Sequence, residues 1–174
     1  MFRLPWPTRK DASTPVALAL QGGGAHGAYT WGVLDRLLEA GVPIEGISGT
    51  SAGAMNAVAL AEGWTTGGAE GARAALDRFW TAVGDSVPFH LELLQSLSPS
   101  GDGSLPSPMN MMLGLARVFS PYQLNPFELN PLRDVVRAQF DFERIRRACP
   151  LKLFIAATAV RTGKVRLFRT AELD

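Results

Sequence analysis

The pentapeptide Gly49-Thr50-Ser51-Ala52-Gly53 constrains this chain more than any other stretch, because of what stands on either side of it. Ile44 to Ser48 reads as a short buried strand, and Ala52 to Ala61 (AGAMNAVALA) reads as a helix with hardly any polar surface. A Gly-x-Ser-x-Gly between a strand and a helix is the pattern of a nucleophile elbow. The turn is so sharp that the serine takes a strained backbone conformation, and side chains on both flanks would collide. Glycines at 49 and 53 remove those side chains. Ser51 then stands at the tip of the turn, at the positive end of a helix, where backbone N–H groups can meet a developing oxyanion. The bland alternative is a glycine-rich turn that merely contains a serine, and the strand–helix context weighs against it.

A second glycine cluster supports the first. Val16 to Leu20 is an unbroken apolar run, Gln21-Gly22-Gly23-Gly24-Ala25-His26-Gly27 follows, and Ala28 to Ala40 has helical spacing with Val33, Leu34, Leu37 and Leu38 on one side. Gly41 closes that helix and Pro43 stops it from continuing. Successive glycines at a helix N-terminus leave N–H groups bare and let an oxygen-bearing ligand approach the backbone closely. Beside a serine on the next strand, Gly22, Gly23 and Gly24, with the N–H of Ala52, make an expected oxyanion hole, and Gly27 closes the loop. The same residues also spell Gly-x-Gly-x-x-Gly, the dinucleotide fingerprint. That reading needs an acidic residue about 20 positions on, at the end of the second strand. The second strand ends in Ser48, Gly49 and Thr50, and Glu45 lies at its beginning. An oxidoreductase is therefore disfavoured.

Together, Gly22-Gly23-Gly24-Ala25-His26-Gly27-Ala28-Tyr29, Gly32-Val33-Leu34 and Gly49-Thr50-Ser51-Ala52-Gly53-Ala54 resemble the patatin-like phospholipase family of bacterial type. The resemblance runs from about Val16 to Val160 and is tightest across 18–60. It implies an α/β fold, a three-layer α/β/α arrangement with a mainly parallel central sheet, incomplete at its C-terminal side. It also implies a lipid acyl hydrolase of phospholipase A or lysophospholipase type, in which Ser51 works with an aspartate as a dyad through an acyl-enzyme. The alternative is a lipid-binding or regulatory relative without catalysis. His26 stands where relatives often have Arg or Lys. The dyad aspartate belongs to an Asp-Gly-Gly or Asp-Gly-Ala motif, and no such motif occurs here: Asp102-Gly103 sits in a polar Ser/Pro/Gly loop with no strand before it. The expected base therefore lies beyond residue 174. This segment alone is expected to be inactive. His26 and His90 read as ordinary surface or core histidines.

Composition sets the remaining bounds. A chain of 174 residues, 47% hydrophobic and 19% charged, can bury a core as one domain, and a net charge of +1 gives no general attraction to nucleic acid. Residues 1–14 read as a flexible tail without a signal peptide's continuous apolar stretch, and 15–174 as the N-terminal portion of the hydrolase domain. The single cysteine, Cys149, cannot form an internal disulfide. A cytoplasmic protein, peripheral to the membrane, is expected, with a lipid or phospholipid substrate and neither cofactor nor metal.

The rest of the chain reads as helices with a final hairpin. Helices are expected over Ala69–Val83, with a stripe of Ala74, Leu76, Phe79, Trp80 and Val83, and over Pro88–Leu97, Asn110–Phe119, Asn130–Phe140 and Asp141–Ala148. The hairpin pairs Leu151–Val160 with Val165–Phe168 around Thr162-Gly163. The methionine- and proline-rich stretch 105–127 suits a movable cover over an acyl groove or a shallow membrane contact, or equally an ordinary helical insertion. The basic residues Arg133, Arg137, Arg144, Arg146, Arg147 and Lys152 suit either anionic headgroups or a solvated face.

Overall fold

A computed structural model describes residues 14–86 and 131–174. The described residues form two compact units, one of 14–80 with 139–174 and the other of 81–86 with 131–138. The elements in chain order are β1 (Val16–Leu20), α1 (Gly27–Glu39), β2 (Ile44–Thr50), α2 (Ala52–Ser86), α3 (Pro131–Gln139), α4 (Phe142–Ala148), β3 (Lys152–Thr158) and β4 (Val165–Arg169). Short 3₁₀ turns occupy Gly24–His26 and Thr170–Glu172. The expected tail, the helices at 88–97 and 110–119, the cover at 105–127, and Asp102 and His90 lie outside the described residues.

The sheet runs in the order β1-β2-β3-β4. Its first three strands are parallel, with Leu18 beside Ile47 and Ile47 beside Leu153, and β4 is antiparallel to β3. Parallel crossovers are almost always right-handed, so strands laid side by side in one direction carry their connections on one face. Burial follows that rule. Ile47 and Leu153 are buried, whereas Ala17, Ala19, Ser48 and Phe154 on the opposite face are exposed. The described residues thus supply a mainly parallel sheet and one helical layer of the expected α/β fold. Among the described residues, that opposite face forms a hollow of about 330 Å³ lined by Ala19, Ser48, Thr50, Phe154, Ala156 and Leu167.

Glycines set where the helices stop and cross. Gly41 adopts φ 70°, its N–H donates to the Leu38 carbonyl, and the N–H of Val42 donates to that of Leu37. This pair of bonds caps α1 and releases the chain into β2. Of the expected apolar side of α1, Leu34 and Leu38 are buried, but Val33 is 44% exposed. The two helices expected at 52–61 and 69–83 are one element, α2, broken by non-helical Gly67 and Gly68. Its halves meet at Gly63 and Gly71, where a Cβ on either would lie within 2.2 Å of the other's carbonyl oxygen. In the second half the buried stripe is Ala72, Ala75, Leu76 and Phe79, while Ala74 faces solvent, one residue off the expected stripe.

The core of the first unit joins Leu34, Ile47, Leu60, Leu76, Phe79, Ile145 and Leu153, with the Phe79 ring 5.5 Å from that of Phe140. Burying a side chain such as Phe79 contributes roughly 1.5–3 kcal/mol. Helix α4 starts at Asp141, whose carboxylate accepts from the Arg144 N–H. The arginines of α4 are exposed as expected, yet all three are engaged, Arg147 with Glu143 one turn earlier at 2.7 Å. Arg144 donates to the buried Glu62 carboxylate on α2, and Arg146 to the Leu173 carbonyl. Arg73 on α2 reaches Asp35 on α1 at 2.7 Å and also Glu70, and those carboxylates, Asp35 first, raise its pKa further. The β3–β4 turn closes through a bond from the Gly163 N–H to the Ala159 carbonyl, with Gly163 at φ 65°, as its Thr-Gly chemistry predicts.

Candidate active site

Strand β2 runs directly into Ser51, and α2 starts at the next residue. Ser51 has φ 51°, the only positive φ at a non-glycine among the described residues. Holding a serine there costs on the order of 1–3 kcal/mol, which the surrounding packing must impose. That packing is glycine against backbone. A Cβ on Gly49 would lie 2.6 Å from the carbonyl of Gly53, and a Cβ on Gly53 would lie 2.3 Å from the Leu20 carbonyl oxygen. The Ser51 carbonyl accepts from the Met55 N–H at 3.1 Å, so the turn passes straight into helical bonding. Ser51 itself is exposed.

The glycine loop lies at the same edge of the sheet, because β1 and β2 are parallel neighbours that end together, with Leu20 beside Gly49. Gly22 is its closest approach to the serine: a Cβ on Gly22 would stand 3.1 Å from the Ser51 Cβ. Gly24 is left-handed at φ 56°, and the chain then makes a single 3₁₀ turn into α1. Among the described residues, the N–H groups of Gly22, Gly23, Gly24 and Ala52 have no hydrogen-bond partner. Free N–H groups at two helix starts give partial positive charge at one place. Gly27 opens α1 with no room to spare, since a Cβ there would come within 2.7 Å of both Ala52 and the Trp80 ring. Six of the eight expected site residues (Gly22, Gly27, Gly49, Ser51, Ala52 and Gly53) thus meet through these contacts. Gly23 and Gly24 are exposed in the loop between them.

His26 is exposed, and its ring Nδ1 lies 3.1 Å from the Gly23 carbonyl oxygen, within the same loop. Glu45, at the start of β2, pairs with Lys152, which holds its carboxyl below the ordinary range. It is thus engaged at the end of the strand remote from the loop. Among the described residues no cluster of His, Cys, Asp or Glu could hold a metal ion. Asn56 was not singled out by the motif reading. It is fully buried, its amide nitrogen donates to the Gly27 carbonyl at 3.0 Å, and its amide oxygen accepts from the Trp80 indole N–H at 2.8 Å. The signal was there: one polar residue inside the apolar run AMNAVALA.

A serine at positive φ between a parallel strand and a helix, beside a glycine loop from the neighbouring strand, is the strand–turn–helix geometry that the two glycine motifs predict. The chain belongs to the patatin-like phospholipase family, whose model matches residues 18–171. It is similar to an uncharacterized NTE family protein of Mycobacterium bovis and to one of Mycobacterium tuberculosis. Each is 42% identical over 98 residues, 56% of this chain and 14% of the relative. It is also 50% identical over 48 residues to the lysophospholipase nte1 of Aspergillus terreus, 28% of this chain and 3% of that protein. The matched segments thus span a small part of the length of these relatives. No solved structure matches the chain significantly. Among the described residues no helix is long and apolar enough to cross a membrane.

Proposed function

We propose that this chain carries the nucleophile and oxyanion donors of a serine lipid acyl hydrolase acting on phospholipids or lysophospholipids. The observation that carries the reading is Ser51, exposed and held at φ 51° where β2 becomes α2. Family membership and the lysophospholipase name of the Aspergillus relative point to lipid esters as substrate.

The chemistry is acyl transfer to water. The Ser51 hydroxyl gives its proton to a base while Oγ bonds to the ester carbonyl carbon. The tetrahedral oxyanion sits against N–H groups of Gly22, Gly23, Gly24 and Ala52. The ester C–O bond then breaks, and the departing alkoxide takes the proton from the base. Water repeats the sequence on the acyl-enzyme, releasing a carboxylic acid and freeing Ser51. The base in this reading is the aspartate of an Asp-Gly-Gly or Asp-Gly-Ala motif, which is not among the 174 residues, so the dyad needs it from outside them. An ordinary carboxylate is a weak base for an alcohol, so its site must hold it close to Ser51 and away from water. Peripheral contact with a lipid surface belongs to the same reading, because the substrate resides there.

The test is hydrolysis of lysophospholipid by the full-length protein and by its Ser51→Ala variant. The reading expects turnover in the first and its loss in the second; equal turnover in both contradicts it. Residues 1–174 alone should fall behind the full-length protein by at least about 10²–10⁴-fold, the usual worth of a general base. Equal rates would overturn the aspartate dyad.

A further inference from the structure

The buried amide of Asn56 joins two segments that the proposed chemistry needs in fixed relation. Asn56 lies five residues after Ser51 on α2, and its Nδ2 donates across 29 residues to the carbonyl of Gly27, the last residue of the glycine motif. Its Oδ1 is taken up by the Trp80 indole N–H from the second half of α2. Both polar ends of the side chain are thus engaged, in a site with no solvent exposure. A buried amide is costly unless every partner is present. A leucine would fill a similar volume with no such demand, so what the amide supplies is direction: it fixes α1 to α2 at one register.

That register bears on the oxyanion loop. At its upstream end the loop is held by the β1–β2 ladder, which places Leu20 beside Gly49. At its downstream end Gly27 is packed against Ala52, the residue after Ser51, with no space for a methyl group. Residues 21–26 are strung between these two anchors, and they carry the unpaired N–H groups. The Asn56–Gly27 bond is the polar tie at the downstream anchor.

Resting on the reading of Ser51 as nucleophile, we infer that Asn56 is a positioning residue, which with Trp80 sets where the glycine-loop N–H groups stand relative to the Ser51 oxygen. It touches no substrate. Removing it should leave a folded protein that binds as before and reacts slowly. A displacement of about 1 Å in reacting groups can cost on the order of 10²-fold in rate.

The experiment is a fluorophosphonate labelling time course on the full-length protein and its Asn56→Asp, Asn56→Leu, Trp80→Phe and Ser51→Ala variants. Three quantities are read: the maximal labelling rate, the probe concentration at half-maximal rate, and the final stoichiometry. The final stoichiometry counts folded, reactive molecules, so it separates positioning from loss of structure. Both Asn56 variants should reach the wild-type stoichiometry at an unchanged half-saturating concentration, with a maximal rate lower on the order of 10²-fold. Trp80→Phe removes the indole N–H together with part of the ring system that packs on Gly27, and should fall between them and wild type. Variants that label at the wild-type maximal rate, or that lose only stoichiometry, overturn the inference. If the Asn56 variants do not fold, Trp80→Phe decides it alone by the same readout. Labelling that persists in Ser51→Ala overturns the underlying reading instead, which keeps the two failures apart.

Discussion

Gly22 stands so close to Ser51 that a Cβ on the glycine would lie 3.1 Å from the serine's own Cβ and 3.2 Å from the Thr50 carbonyl oxygen. The glycine loop and the elbow are therefore in contact through backbone, not through intervening side chains. A contact of that length is tight but can be relieved by a shift of a few tenths of an ångström. Gly22→Ala should fold with a stability loss of about 1 kcal/mol, within the range for mild overpacking. The displaced loop should lower the fluorophosphonate labelling rate about tenfold or more, since catalysis responds steeply to small misplacements. Thermal unfolding alongside a labelling time course checks both.

The elbow glycines are less forgiving. At Gly53 an added Cβ would meet the Leu20 carbonyl oxygen at 2.3 Å, and at Gly49 it would meet the Gly53 carbonyl at 2.6 Å. Backbone cannot move aside here without breaking the β1–β2 pairing or the start of α2. Gly53→Ala and Gly49→Ala should each cost about 3 kcal/mol or more, the upper end of overpacking. Denaturant unfolding of the soluble fraction measures it. A loss under 1 kcal/mol at both sites would mean that the turn is looser than described.

Gly24 differs again. A methyl group there meets nothing within 4 Å, but φ is 56°. Gly24→Ala should therefore act through backbone preference alone, costing about 1–2 kcal/mol locally. The loop should shift away from its left-handed turn, slowing labelling while the global unfolding midpoint changes little. Gly24→Asn, which tolerates that region better, should recover part of the rate.

The contrast among these glycines shows what the sequence could convey. Gly49 and Gly53 flanking Ser51, and the apolar runs before each cluster, made the two β–loop–α steps and the parallel sheet legible from residues alone. The hairpin was legible too, because Thr162-Gly163 has unmistakable turn chemistry. The end of α1 was as clear, from Gly41 and Pro43. The course of α2 was not. Gly67-Gly68 breaks the helix, but nothing local says that its halves then meet at Gly63 and Gly71, a contact made only by tertiary packing. The same limit hid the stripe of the second half, where Ala75 rather than Ala74 faces the core. The role of Asn56 was hidden because its partners, Gly27 and Trp80, lie 29 and 24 residues away.

The Glu45–Lys152 pair, which links β2 to β3 at the end remote from Ser51, gives a pH prediction. Lys152 holds the Glu45 carboxyl below its usual value, first by the hydrogen bond and then by charge. A carboxyl depressed in the folded state stabilises above its unfolded value, and that contribution is lost as pH falls through the folded one. Lys152→Met should return the Glu45 titration to the ordinary carboxylate range, as read by NMR. Near neutral pH the unfolding midpoint should hardly change, because the pair is exposed and screened.

The account stands or falls on Ser51 as the reactive residue. The most direct measurement is labelling of the full-length protein with a fluorophosphonate, followed by peptide mapping of the adduct and the same labelling of Ser51→Ala. The prediction is a single adduct on the peptide carrying Gly49-Thr50-Ser51-Ala52-Gly53, absent from the variant even after long exposure. Equal labelling of Ser51→Ala, or an adduct mapped to another residue in the wild-type protein, would contradict it.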